Sequence, residues 1–187
     1  NSYWEPKGAF TGEVSAPMLV GTASHVLVGH SERRHVFGET DEATNRKMHA
    51  VVDAGLTPIL AVGETIEELR GGEAEPTLRR QVAEGLRDLA TLPAGLIVAY
   101  EPVWAIGTGE AATPEVAQER CAFIRSLLVD TFGAEAASAT RIQYGGSVNA
   151  GNAATYFEQP DVDGALVGGA SLDAEAFAAI CRAAQAG

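Results

Sequence analysis

Short apolar runs alternate with longer amphipathic stretches from residue 24 onward. The apolar runs are nearly continuous rather than alternating, which is typical of parallel strands buried on both faces. Five runs are predicted as strands, at residues 25–29, 57–62, 96–100, 141–144 and 164–167. Helical periodicity predicts helices at residues 41–54, 75–90, 114–132, 152–157 and 173–186. This order of strands and helices predicts an α/β fold built on a parallel sheet.

Local signals mark several helix ends. Gly55 follows the first long helix in the position where a left-handed residue is preferred. Thr113 and Pro114 suit the N-cap and first turn of the third. Ser15 could cap a short helix that runs to Leu19. These signals predict where helices begin and end, independently of the apolar pattern.

Polar residues gather directly after each predicted strand. The five clusters lie at residues 29–34, 63–65, 101, 145–149 and 168–171. The carboxyl ends of parallel strands meet at one edge of the sheet, which is the edge that carries the chemistry in such proteins. We therefore expect these clusters to lie together.

Glu101 stands at the tip of a predicted buried strand, and Pro102 then blocks further pairing. The loop that follows contains Trp104 and ends with glycines at 107 and 109. A carboxylate in this place suits a general base beneath a movable lid. The alternative is a solvated glutamate followed by an ordinary loop.

Two glycine-containing turns, at residues 145–147 and 168–169, follow successive strands. Their backbone N–H groups are unobstructed by Cβ atoms, and a helix is predicted after each. Together they could hold a phosphate group without lysine or arginine. Each could instead be only a tight connection between a strand and a helix.

His30 lies just beyond a predicted strand, on the same edge as Glu101. A lone histidine is usually structural, but this placement favours a role in polarising a substrate or moving protons. The histidines at 25, 35 and 49 have no comparable placement. No histidine or cysteine cluster has the spacing of metal ligands, so no metal is expected.

The chain has 187 residues and a formal charge of −12, which favours one domain and disfavours nucleic acid or anionic membranes as partners. Cys121 and Cys181 lack the spacing of a redox motif and suit reduced thiols. We find no apolar run that would span a bilayer and no signal peptide. These features predict a cytoplasmic protein.

Five ordered motifs resemble the triosephosphate isomerase family: GHSERR at 29–34, FGETD at 37–41, AYEPVWAIGTG at 99–109, YGGSVN at 144–149 and DGALVGGASL at 163–172. The resemblance extends from the first residues to the last predicted helix. It implies a TIM-barrel fold of parallel βα units, of which residues 1–187 would form a single partial domain with about five strands.

The resemblance also implies catalytic roles. Glu101 matches the carboxylate base that moves a proton between adjacent carbons, and His30 matches the neutral imidazole that polarises the carbonyl. Glu32 matches the acidic partner beside that histidine. Residues 102–108 match the lid that excludes water.

The implied substrate is a phosphorylated triose, interconverted between glyceraldehyde 3-phosphate and dihydroxyacetone phosphate in glycolysis and gluconeogenesis, without metal or organic cofactor. The positions that match the family's phosphate contacts are Gly107, Ser147, Gly168 and Gly169. Ile106 and Leu166 match its apolar clamp around the base.

The sequence departs from the family at its N-terminal end. The family's first strands and helices have no counterpart here, and no position matches its substrate-binding asparagine and lysine. Five strands would leave two open sheet edges, so we expect self-association through residues 25–29 or 164–167, with Phe10 docking on a neighbour. Loss of the lysine predicts weak or absent turnover.

Three functions stay open at this point. The first is an isomerase of the triosephosphate type. The second is a non-catalytic fragment or module that self-associates or binds anions. The third is another phosphate-binding barrel enzyme, such as a sugar-phosphate epimerase or aldolase, which the order of the motifs disfavours.

Overall fold

The computed structural model describes residues 1–106 and 111–185. Its strands are His25–Val28 (β1), Thr57–Val62 (β2), Ile97–Tyr100 (β3), Arg141–Tyr144 (β4) and Gly164–Ala165 (β5). The α-helices in these residues are Ala16–Leu19 (α1), Ser31–His35 (α2), Asp41–Asp53 (α3), Ile66–Arg70 (α4), Ala74–Gly85 (α5), Pro114–Phe132 (α6), Ala134–Ala139 (α7), Ala153–Phe157 (α8) and Ala174–Ala184 (α9). Short 3₁₀ helices occupy Val103–Ala105 and Gly169–Leu172.

The five strands form one parallel sheet in chain order, β1-β2-β3-β4-β5. Val28, Leu60, Val98 and Ile142 are register partners across four strands, and all four are fully buried. Helices α3, α5 and α6 pack on the sheet, and this row lies in the hydrophobic core with them. The predicted α/β fold with parallel βα units is therefore confirmed.

The predicted ends of three strands were wrong by one or two residues. The largest difference is β5, which ends at Ala165 rather than at residue 167. Leu166 still donates its N–H to the carbonyl of Tyr144 at 3.0 Å, but the chain then turns toward the 3₁₀ helix that begins at Gly169. The apolar run therefore continues past the strand, because its last residues line a cavity instead of extending the ladder.

Helix α6 has the predicted bounds, and the Thr113 hydroxyl accepts the Val116 N–H as its N-cap. Gly55 has the expected left-handed conformation after α3, with φ +74°. Ser15 is the N-cap residue of α1, but its side chain makes no capping bond. The last predicted helix, which was expected to reach residue 186, is α9, and residue 186 lies outside the described residues.

Helix α5 ends at Gly85, five residues before its predicted end. The Asn45 side-chain amide donates to the carbonyls of Gly85 and Arg87 at 3.4 and 2.9 Å. Asp88 then has φ +66°, which a continuing α-helix does not permit. These two carbonyls would accept N–H groups of the same helix if it continued, and they accept the Asn45 amide of α3 instead. The periodicity of one segment cannot reveal a donor that lies on another helix.

Helices α2, α4 and α7 were not predicted. Each has five or six residues, and α2 reads SERRH, a polar run without apolar periodicity. Helix α4 nevertheless begins with a complete capping box between Thr65 and Glu68, a signal that the sequence does contain.

Strands β1 and β5 lie at the two edges of the sheet, and within the described residues they do not pair with each other. The sheet is therefore that of a TIM-type barrel that is not closed. None of the helices in the described part of the chain is both long and apolar enough to cross a membrane.

Candidate active site

Glu101 directly follows β3 and turns its carboxylate toward the start of α2. Its N–H donates to the carbonyl of Val62 at 2.7 Å, which extends the contact with β2 by one residue. The side chain is almost fully buried, yet both carboxylate oxygens have donors. Oε1 lies 2.9 Å from Nε2 of His30, and Oε2 accepts the backbone N–H of Ser31 at 3.0 Å. Burial of this carboxylate is thus compensated by hydrogen bonds.

His30 is the N-cap residue of α2, and this position determines its tautomer. Its Nδ1 accepts the backbone N–H of Glu32 at 3.2 Å, so Nδ1 carries no proton. The network therefore assigns the ring proton to Nε2, which donates to Glu101. The hydrogen bond to Glu101 raises the pKa of His30, and partial burial opposes that rise.

A cavity of about 490 Å³ opens at this edge of the sheet. His30 and Glu101 lie on its wall together with Ile106, Leu166 and the two glycine turns. The structure therefore brings together most of the residues that the sequence indicated. Its lining within the described residues contains no lysine or arginine, so an anion there would meet backbone N–H groups and hydroxyls.

The first glycine turn lies beside the proposed base. The N–H of Gly145 donates to the carbonyl of Tyr100 at 2.7 Å, and the Ser147 hydroxyl donates to the carbonyl of Ala105 at 3.1 Å. The helix predicted after this turn at residues 152–157 is α8, Ala153–Phe157, which begins several residues beyond the turn. An anion at this turn would therefore meet local N–H groups, and it would bind the Ser147 hydroxyl only by replacing Ala105 as the acceptor of its proton.

The second turn leads directly into a helix, although a short one. Gly168 precedes the 3₁₀ helix that begins at Gly169, and the N–H and hydroxyl of Ser171 both bond to the Gly168 carbonyl. No atom lies within 4 Å of the place where a Cβ would stand on Gly168 or Gly169. The first N–H groups of such a helix have no partner within it, which leaves them available in the cavity wall.

The sequence also predicted Glu32 and Gly107 as site residues. Glu32 is exposed and does not line the cavity, although its backbone N–H bonds to His30 and its charge helps to raise the pKa of His30. Gly107 lies outside the described residues.

Other residues line the cavity or support it, although the sequence indicated no individual role for them. Leu27 and Asn149 line it, and the Ser31 N–H binds Glu101. Glu64, one of the polar residues at the strand ends, is fully buried and lies outside the cavity lining. It accepts the Tyr100 hydroxyl at 2.9 Å and the Trp104 indole N–H at 3.0 Å. Glu64 thus anchors the start of the loop after Glu101.

Comparison with known proteins matches this geometry to one family. A sequence model described as triosephosphate isomerase matches residues 1–184. The chain is 56% identical over 182 residues to the triosephosphate isomerase of Symbiobacterium thermophilum, covering 96% of this chain and 71% of that protein. It is 57% identical over 180 residues to that of Moorella thermoacetica, covering 95% and 72%. For that of Streptococcus suis the identity is 51% over 182 residues, covering 96% and 73%. The chain therefore belongs to the triosephosphate isomerase family.

Proposed function

We propose that this chain interconverts glyceraldehyde 3-phosphate and dihydroxyacetone phosphate. The observation that carries the proposal is the 2.9 Å contact between His30 Nε2 and Glu101 Oε1 in a cavity lined by two glycine turns. A base, a hydrogen-bond donor and an anion site in one cavity are what proton transfer next to a carbonyl requires. The comparisons do not favour the alternative of a non-catalytic module.

The proposed reaction divides its work between the two side chains. A triose bound between them replaces their direct hydrogen bond with one bond to each. Glu101 removes a proton from the carbon next to the carbonyl, while the Nε2–H of His30 donates to the carbonyl oxygen. The former carbonyl oxygen receives a proton from Nε2 of His30, and this nitrogen takes a proton in return from the hydroxyl group on the deprotonated carbon. Glu101 then delivers its proton to the former carbonyl carbon, and the oxygen that lost its proton becomes the new carbonyl. No electron acceptor or metal is needed, because one carbon is oxidised as its neighbour is reduced.

The proposed phosphate site is formed by Ser147, Gly168 and Gly169, with Gly107 as a further contact predicted from the sequence alone. The absence of basic side chains from the described lining suits a chain of formal charge −12 that binds an anion through backbone N–H groups. Ile106 and Leu166 lie on the wall near Glu101 and would exclude water from the base.

The segment that begins at Pro102 is proposed as the lid over this site. Its first part is the 3₁₀ helix Val103–Ala105, which is tied to Glu64 through Trp104 and to Ser147 through Ala105. Such attachments at the start of a loop allow the remainder to close over a ligand while Glu101 keeps its place.

We further propose that the 187-residue chain turns over slowly. The cavity lining in the described residues offers His30 as the single ionisable donor toward a developing oxyanion. Loss of one preorganised electrostatic donor typically costs about 10²–10³-fold in kcat.

A coupled isomerase assay on the 187-residue chain tests the proposal. We expect measurable turnover that Glu101→Gln abolishes, and no change with Glu42→Gln, an exposed carboxylate on α3. Equal activity of the chain and Glu101→Gln would refute the catalytic role of Glu101. A kcat of about 10² s⁻¹ or more, within the ordinary range for enzymes, would refute slow turnover only and would leave the role of Glu101 intact.

Self-association is the proposed way in which the open sheet edges are satisfied, with β1 or β5 pairing with a second copy to form a dimer or larger assembly. Phe10, which is 39% exposed, is proposed to dock on the neighbour. Light scattering after size exclusion should show association that Phe10→Ser weakens. Phe177→Ser is the matched control, because Phe177 is 40% exposed on α9. A monomer at all concentrations would contradict this proposal.

We also propose a cytoplasmic location, because Cys181 carries an exposed free thiol that suits a reducing compartment. A fluorescent fusion expressed in cells would test it, and signal at the cell envelope or outside the cell would contradict it.

A further inference from the structure

The side chain of Arg34 is buried beneath the site, with 8% of its surface exposed. Its Nε donates to the carbonyl of Gly29 at 2.6 Å, and its Nη2 donates to the carbonyl of Ala61 at 3.3 Å. Its Nη1 contacts Asp41 Oδ1 at 2.6 Å. One guanidinium group thus holds two strand ends and a carboxylate.

The two carbonyls lie at the point where β1 separates from β2. The last register pair between these strands is Val28 with Leu60, and both carbonyls belong to the residues that follow it. A buried carbonyl without a donor is costly, and the ladder supplies none here. The planar guanidinium group presents several N–H donors in fixed directions, so it can replace the missing partner for both carbonyls at once.

Arg34 contacts the backbone of His30 from both sides. The Gly29 carbonyl belongs to the peptide bond that joins Gly29 to His30, so the guanidinium fixes the plane of that bond. The backbone N–H of Arg34 donates to the His30 carbonyl at 3.2 Å. Little space remains for another arrangement, because a Cβ on Gly29 would lie 2.8 Å from Arg34 Nη2.

The charge of Arg34 is also coupled to the site. Burial lowers the pKa of Arg34, while the charges of Glu39 and Glu101 raise it. Asp41 lies directly against the guanidinium, and the more exposed Arg80 contacts the same carboxylate from outside. Arg80 makes no hydrogen bond to the strand-end carbonyls, which makes it a natural control.

We propose that Arg34 is a positioning residue for His30, and that it holds Nε2 of the imidazole against Glu101 by fixing the peptide plane before the helix. The inference deepens the proposed isomerase function and rests on it for its effect on turnover. Its structural part, the orientation and tautomer of His30, does not depend on turnover.

The test compares Arg34→Met, Arg34→Lys and Arg80→Met. Nitrogen NMR of the His30 ring reports the tautomer and its bond to Glu101 without any assay of activity. We expect Arg34→Met to lose the distinct Nδ1 and Nε2 signals and to lower kcat about 10–100-fold with KM within about twofold, since a misplacement of about 1 Å costs roughly that much. Arg34→Lys should cause smaller changes than Arg34→Met, because its ammonium group can still bind one of the two carbonyls. Arg80→Met should change neither the His30 signals nor kcat.

A second measurement covers the case in which the variants do not fold. In the unmodified chain, the Nε–H of Arg34 should exchange slowly with water and show coupling across its hydrogen bond to the Gly29 carbonyl. Fast exchange, or a folded Arg34→Met with unchanged His30 signals, would overturn the inference. If the chain proves inactive while the His30 signals respond to Arg34→Met, the proposed function fails and the positioning role stands.

Discussion

The imidazole of His30 and the carboxylate of Glu101 form a hydrogen bond of 2.9 Å, although they follow β1 and β3, which are separated by β2. The N-terminus of α2 makes this contact possible. Its Ser31 N–H holds the carboxylate, and its Glu32 N–H binds the other side of the imidazole. The same few backbone groups therefore orient both the proposed base and the proposed hydrogen-bond donor.

Shortening the base by one methylene should cost most of the activity while leaving the fold intact. In Glu101→Asp the carboxylate withdraws from the position that Glu101 occupies between His30 and the Ser31 N–H. We expect kcat to fall about 10²-fold or more, since a shift of about 1 Å has that effect on a reacting group. Steady-state kinetics of Glu101→Asp, with circular dichroism to confirm folding, measure it; a change of less than threefold would count against Glu101 as the base.

The contribution of His30 to stability should decline as pH rises. The pKa of His30 is raised in the folded state, chiefly by its hydrogen bond to Glu101. A histidine whose pKa is higher in the folded state than in the unfolded state stabilises the fold. That contribution is complete at pH values below the unfolded-state pKa, near 6.5, and is lost as the pH rises through the folded-state pKa. The difference in free energy of unfolding between the chain and His30→Gln should therefore be largest near pH 5.5 and smaller at pH 8.5.

Urea unfolding at a series of pH values measures this difference. His35→Gln, which replaces an exposed histidine at the other end of α2, is the control for general effects of pH on the variant. If the loss of unfolding free energy caused by His30→Gln grew as the pH rose, the pKa of His30 would not be raised in the folded state.

A methyl group at position 63 should disturb the fold at the site. A Cβ on Gly63 would lie 1.7 Å from the carbonyl oxygen of Glu101, which belongs to the backbone and cannot move aside cheaply. We expect Gly63→Ala to lose about 3 kcal/mol or more of stability, at the upper end for overpacking. Thermal and urea unfolding measure the loss, and a variant as stable as the parent would contradict the close packing of β2 against Glu101.

Gly169→Ala provides the matched case, because the corresponding space is empty within 4 Å. Its stability should change by less than about 0.5 kcal/mol, as for other exposed substitutions. If Gly169 contributes to the proposed phosphate site, the same variant should raise KM. Unchanged KM with unchanged stability would remove Gly169 from the set of phosphate contacts.

Arg125 should be far more important for stability than its place on a long helix suggests. It donates to Asp161 and Asp163 at 2.6 Å each, and also to the carbonyls of Ala137 and Thr140. It thereby ties α6 to the loop before β5 and to the start of β4. Removal leaves two carboxylates and two carbonyls without this donor, so Arg125→Met should cost about 2–4 kcal/mol.

Arg87→Met is the control for Arg125→Met. Arg87 pairs with Glu84 and Asp88 at the surface, where such pairs contribute about 0–1 kcal/mol. Chemical unfolding of both variants gives the comparison. Equal small losses would mean that the Arg125 network is solvated and contributes little.

Local signals in the sequence predicted much of this protein. The bounds of α6 were predicted because Thr113, Pro114 and a long apolar stripe act within one helix. The predicted end of α5 was wrong because the carbonyls at its real end accept the side-chain amide of Asn45, which lies on another helix. Helix α2 was missed because its five polar residues are held in place by the strand ends and by Glu101, rather than by an apolar face.

By itself the sequence determined where the strands lie to within two residues, and hence that Glu101, His30 and the glycine turns share one edge, because the alternation of strands and helices makes the strands parallel. Only the tertiary structure decided which of those polar groups face a common cavity. Glu64 and Glu101 both follow strands, yet Glu64 is buried against Tyr100 and Trp104 while Glu101 meets His30. The reason is physical: the direction of a side chain beyond its strand depends on donors supplied by other elements, and those are brought near only when the sheet and helices pack.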